Sequence, residues 1–162
     1  MPNHVKTIVR MTGDLGQIKK LKEECFKNIE NPTEYGPTRR FDFETIIPMP
    51  ENIFRGDIGK KEQELYGENN WYDWSISNWG TKWNAYDLAE VGQRIFIINT
   101  AWSYPHKIFR ALSEKYPHVK FHIRYADEGI YENSGKCTYL GGEKTEYQIN
   151  DYKRFNNNVW RF

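Results

Sequence analysis

Cysteine, long apolar runs and nucleophile motifs are what this chain lacks or nearly lacks. Its two cysteines, Cys25 and Cys137, form no CxxC pair and no framework pattern, so neither a disulfide scaffold nor a redox motif is read from them. Cys25 reads as a small core residue on a helix, and Cys137 as a strand residue with no assigned role. No apolar run approaches the roughly 18 residues of a membrane span, and the opening MPNHVKTIVRM lacks the basic region and apolar stretch of a signal peptide. The expectation is a soluble, cytoplasmic protein without membrane contact. GxSxG, Walker-loop and HExxH patterns are absent. Thr100, Ser103 and His106 crowd together in sequence, but nothing sets a base beside a nucleophile. No catalytic residue, cofactor or metal is therefore assigned.

What is there is aromatic. Rings make up 16% of the 162 residues, and NWYDWSISNWGTKWNAYD (Asn70 to Asp87) holds four of the six tryptophans. Ala, Val, Leu and Ile are modest, so the core must be built largely from rings, whose polar handles need partners. The length fits one domain, 1–162, with one sizeable insertion. Net charge is +1, which argues against a general polyanion binder. The charge is uneven, however: residues 30–93 carry six Lys/Arg against twelve Asp/Glu. An acidic middle interrupts a basic frame, as when one part docks on another or two surfaces serve different partners.

Periodicity supplies the elements. HVKTIVRM alternates as a strand, and from Asp14 a helix follows with Leu15, Ile18, Leu21, Cys25 and Ile29 on one stripe. FDFETIIPMP reads as a short strand from Phe41 to Ile46. Asn70 to Trp79 is helical in pattern, and Gly80 suits the left-handed residue that ends it. Asn84–Glu90 and Arg94–Ala101 read as strands joined at Gly92. Ser103 and Pro105 open a second amphipathic helix bearing Ile108, Phe109 and Leu112. VKFHIRY alternates most clearly, with Val119, Phe121, Ile123 and Tyr125 inward and Lys120, His122 and Arg124 outward. Residues 129–162 read as a C-terminal hairpin and a tail that docks through Trp160 and Phe162 or frays.

Setting aside residues 30–83, the order is strand, helix, strand, strand, helix, strand. This predicts an α+β, ferredoxin-like antiparallel sheet with two helices on one face, a Trp-rich insertion after the first helix and a C-terminal β-hairpin extension. Lys6 and Arg10 would then stand beside Lys120, His122 and Arg124 on the face opposite the helices. The acidic insertion is expected to cover that cationic face.

FDFETIIPMP, WYDWSISNWGTKWNAYD, TAWSYPHKIFRALSEKYP and YADE together resemble the YubB ferredoxin-like family of phage and plasmid proteins. The resemblance runs from MPNHV to about Glu128. It implies a mobile-element accessory protein and a ferredoxin-like order, and it transfers no catalytic residues.

Two readings of the tryptophans stand side by side. In one, Trp71, Trp74, Trp79 and Trp83 pack the insertion onto the sheet, each buried ring contributing about 2–3 kcal/mol. In the other, Trp74, Trp79, Lys82, Trp83, Asn84, Trp102, Arg124 and Tyr125 form a ring-lined ligand site, with Lys82, Arg124 or Lys120 on the phosphates of a nucleotide-type ligand. Asp127 and Glu128 in YADE are paired acids that could serve a metal-dependent enzyme, but a turn or salt bridge accounts for them as well. Asp73 and Asp87 add no telling spacing, and His118 and His122 do not share a face. An RNA-recognition sheet would need exposed rings on its central strands. Here the first offers only His4 among Lys6, Ile8 and Arg10, and the third only Phe96. The expected function is a non-catalytic binding protein that blocks a host defence protein or sequesters a nucleotide-type signal. The defence setting comes from the family resemblance alone. An RNA-binding module on the basic face and a metal enzyme at Asp127 and Glu128 are the alternatives.

Overall fold

The computed structural model describes residues 1–162. β1 (His4–Gly13) buries Val5, Thr7, Val9 and Met11, while Lys6 and Arg10 belong to the opposite parity. Asp14 then caps α1 (Leu15–Cys25), its carboxylate accepting the Gln17 N–H at 2.7 Å. The apolar stripe predicts a helix reaching Ile29; the helix instead ends at Cys25. Phe26 turns extended there, and its ring meets Phe41 at 5.7 Å and Phe96 at 5.2 Å. β2 (Phe26–Asn28) pairs with β3 (Arg39–Phe41) in a small sheet of its own.

β4 (Tyr86–Val91), β5 (Ile95–Ala101), α4 (His106–Lys115) and β6 (Val119–Asp127) complete the expected order. The main sheet is antiparallel and runs β4-β5-β1-β6, then continues into β7 (Ser134–Leu140) and β8 (Glu143–Tyr147). Ile18 and Leu21 of α1 and Ile108, Phe109 and Leu112 of α4 share one core with Val9, Phe96, Ile98, Phe121 and Ile123. The fold is α+β and ferredoxin-like, with both helices on one face and a hairpin added beyond β6.

The insertion departs from expectation in two ways. Phe41 to Ile46 is not one strand: β3 stops at Phe41, and Phe43–Thr45 form a 3-10 turn capped by Asp42, whose carboxylate accepts the Glu44 N–H at 3.2 Å. Nor does the insertion cover the cationic face. Phe41 stacks on Phe109 at 6.2 Å and Phe43 meets Trp79 at 5.6 Å, so its rings join the core on the helix side. α2 (Lys60–Tyr66) and α3 (Trp71–Trp79) follow within it.

The tail covers part of the other sheet face instead. Asp151 caps α5 (Tyr152–Arg161), accepting the Arg154 N–H at 2.9 Å. Buried Val159 lies against Ile8 and Ala126, with Phe155, Trp160, Ile95 and Ile97 packed around them. Trp160 also donates its indole N–H to the Asp127 carbonyl at 3.2 Å.

Candidate functional site

NWGTKWNA, residues 78–85, is where the insertion rejoins the sheet, and nearly every residue in it is spoken for. Asn78 donates to the Trp74 carbonyl at 2.9 Å. Trp79, 4% exposed, lies edge-on to Phe43 and Trp74 and donates its indole N–H to the Ile47 carbonyl at 2.8 Å. Gly80 ends α3 at φ 82°, and a Cβ there would stand 2.5 Å from the His106 ring, so both backbone and space require glycine. Thr81 is buried and donates to the Ala101 carbonyl at 2.7 Å. Asn84 is the latch: its Oδ1 accepts the Phe43 N–H at 3.0 Å and its amide donates to Asp42 at 2.7 Å, tying the two ends of the insertion together. Ala85 is buried.

Lys82 and Trp83 are left facing outward. The Lys82 ammonium lies 4.6 Å from the Trp83 ring centroid, 4.6 Å from that of Trp102 and 5.8 Å from that of Tyr72. Tyr72 meets Trp102 edge-on at 6.2 Å. Such cation–π contacts contribute about 0.5–1 kcal/mol each at exposed sites. Trp83 and Trp102 remain 39% and 42% exposed. Trp102 also has φ 68°, the left-handed region, which costs a bulky residue about 1–2 kcal/mol. Its backbone is clamped there, the N–H donating to the Asn3 carbonyl at 2.9 Å and the carbonyl accepting from the Asn133 amide at 2.8 Å. The result is a half-exposed aromatic surface around one cation, assembled from α3, the turn after it and the β5–α4 connection.

The other residues expected at this site go elsewhere. Trp74 packs against the core beside Trp79, and Trp71 donates to the Gly56 carbonyl at 3.1 Å. Arg124 and Tyr125 are adjacent in β6 and so take opposite faces. Arg124 lines a cleft on the face that carries α5. Tyr125 stacks on Tyr104 at 3.9 Å, in a cluster where Tyr104 and Tyr139 share a 3.1 Å hydrogen bond. Burial pushes the Cys137 thiol there up to about 11.

Asp127 is a buried organiser of the following turn. One carboxylate oxygen accepts from Gly129 N–H at 2.8 Å, Ile130 N–H at 2.9 Å and the Asn3 amide at 3.0 Å; the other accepts from the Asn133 amide at 2.8 Å. Glu128 accepts the His4 N–H at 2.8 Å. Asp73 accepts from the Asn70 amide, and Asp87 from that of Asn99. Ser103 donates to the Gly80 carbonyl and Thr100 to the Ser103 carbonyl, so both hydroxyls serve backbone. Phe96 is wholly buried under the helices and leaves the open face without that ring. Tyr72 is the member that sequence reasoning missed. Its only signal was a place in the first turn of α3, which aims nothing until the helix is seated.

Residues 78–158, half of the chain, match the family described as the ferredoxin-like domain in Api92-like protein. The match runs from the end of α3 into α5 and so includes residues 129–158, where the motifs gave no resemblance. No curated protein matches the chain. Among solved structures it is similar to protein api92 from Yersinia pseudotuberculosis, at 17% identity and a TM-score of 0.44, over 71% of this chain and 43% of that one. The chain thus spans less than half the length of that protein. The family match supports the ferredoxin-like fold, and the YubB phage-and-plasmid assignment lies outside it. The chain belongs to the family of ferredoxin-like domains found in Api92-like proteins.

Proposed function

We propose that the chain is a non-catalytic binding protein that grips a partner protein through Tyr72, Lys82, Trp83 and Trp102. One observation carries this reading: within Asn78 to Ala85 every residue has an architectural task except Lys82 and Trp83, which form a half-exposed surface with a backbone-strained tryptophan. Trp and Tyr dominate the energetic centres of protein interfaces, because they bury much area for little lost side-chain freedom. The clefts of about 300–450 Å³ are lined by other residues, which favours a protein surface over an enclosed small ligand at these rings. The ammonium between the rings suits a partner that offers a carboxylate amid apolar contacts.

The two alternatives have less support. Ile8, Ile95 and Ile97, packed beneath α5, occupy the sheet face on which an RNA-recognition sheet stacks bases on exposed rings. Both Asp127 oxygens are already engaged by N–H donors. A mobile-element protein blocking a host defence protein is the setting we attach to the reading, and that step rests on motif resemblance alone.

The test is a photoreactive benzophenone side chain placed at position 83 or 102, with Lys153 on the exposed side of α5 as the control position. One discrete adduct from both platform positions and none from 153 is the expected result. Adducts from all three positions, or from none, would overturn the reading.

A further inference from the structure

Beside α5, the sheet face opposite α1 and α4 is arranged in rows that begin at Ile8 under Val159. Ile8 stands opposite Arg124, Arg124 opposite Lys136, and Lys136 opposite Tyr147; in the next row Arg10 stands opposite His122, and His122 opposite Thr138. Paired residues share a face. These side chains, with Ile95 and Phe162, line a cleft of about 380 Å³.

Three properties of the cleft point the same way. Its charged side chains are cationic throughout: Arg10, Arg124 and Lys136, with His122 among them and no side-chain carboxylate. None of the three forms an ion pair, although Lys and Arg elsewhere in the chain make six. Glu143 of β8 shares this face, but it stands opposite Leu140 at the hairpin end. Like charges gathered without counter-charges repel one another, and an anion relieves them. His122 reports this field. Burial first, then Arg10 and Lys120, hold its imidazole below the ordinary histidine value. Arg124, Lys136 and Tyr147 line the same cleft, and the Thr12 hydroxyl lies 2.9 Å from His122 Nε2. The remaining walls are apolar or aromatic: Ile8, Ile95, Tyr147 and Phe162, whose ring lies 5.7 Å from the Arg124 guanidinium.

We propose that this cleft binds a small organic phosphate of nucleotide size, its phosphate held by Arg10, His122, Arg124 and Lys136 and its flat part lying against Ile95, Tyr147 and Phe162. The volume falls in the range of small-molecule sites, roughly 300–1,000 Å³. Guanidinium forks are the usual partners of phosphate oxygens. A nucleic-acid strand carries the same phosphate chemistry, but α5 closes one side of the face and the central strands offer it no stacking ring. The site is independent of the Lys82 surface.

The experiment is titration of the full chain, followed by imidazole NMR and calorimetry, with inorganic phosphate, pyrophosphate, AMP and a short oligouridylate. AMP is expected to bind and to raise the His122 proton affinity. Arg124→Met and Lys136→Met should each weaken AMP by about tenfold or more, with Arg10→Met as a further variant at an exposed position. Lys60→Met, at an exposed position of α2, should bind AMP as wild type does. The proposal is overturned if no phosphate compound moves the His122 signals, or if well-folded Arg124→Met and Arg10→Met bind AMP undiminished. Binding of the oligouridylate alone, with a steep salt dependence, would overturn the small-molecule assignment in favour of a strand backbone.

Discussion

Trp79 and Trp83 lie four residues apart in one motif, yet the first is 4% exposed and the second 39%. Trp79 belongs to α3 and points where Phe43, Trp74 and the Ile47 carbonyl wait for it. Past the left-handed Gly80 the chain reverses, Thr81 and Asn84 bind backbone on either side, and the two residues between them are turned outward. A dense run of tryptophans thus serves two ends. Which end each ring serves depends on which neighbours are pinned to backbone, not on ring density.

The comparison breaks most visibly on stability. Trp79→Ala should lower unfolding free energy by about 3–5 kcal/mol, the usual loss for a large buried ring, whereas Trp83→Ala should cost less than about 1 kcal/mol. Denaturant midpoints of the two variants check this, and equal losses would end the distinction between core and surface. Asn84→Ala comes next. It strands the Phe43 N–H and releases Asp42, for an expected loss of about 1–3 kcal/mol. Amide exchange should show the insertion opening ahead of the main sheet.

Trp102 sharpens the comparison through its backbone. At φ 68° the Trp102→Gly protein should be more stable than Trp102→Ala by about 1 kcal/mol, since only glycine occupies that region without strain. Equal midpoints would remove strain from the account. The smallest effect concerns pH on the opposite face. The His122 imidazole sits below its ordinary value of 6.5 in the fold, so its protonation favours the unfolded chain. Its contribution is fully present above that value and is lost as pH falls through it toward the folded value. Arg10→Met removes one cause of the depression, so the folded His122 value should rise in an NMR titration and the acid-side loss should shrink.

Much of the fold was legible because it rests on local periodicity. The alternation of Val119 to Tyr125 and the stripes Ile18–Leu21–Cys25 and Ile108–Phe109–Leu112 fix strand, helix and core face before any contact is known. Asn70 and Gly80 bound α3 through capping chemistry that is equally local. The seat of the insertion was not legible, because it depends on Phe41 and Phe43 meeting Phe96, Phe109 and Trp79 from distant elements. α5 was hidden for a related reason. Three consecutive asparagines are weak helix formers, and the Phe155–Val159 stripe gains meaning only against Ile8 and Ala126. Of the candidate site, Lys82, Trp83 and Trp102 were singled out from ring density and strand-end position, and the structure brings these three together. Arg124 and Tyr125 already read as outward and inward by strand parity, which is at odds with placing both in one site.

The most direct test of the proposed binding surface takes the protein captured by crosslinking at positions 83 and 102 and titrates it against wild-type and Trp83→Ala chains. An affinity loss of about thirtyfold or more, the mark of an interface centre, with an unfolding midpoint close to wild type, is the predicted result. An unchanged affinity would contradict the account and return Trp83 to the surface as an ordinary exposed ring.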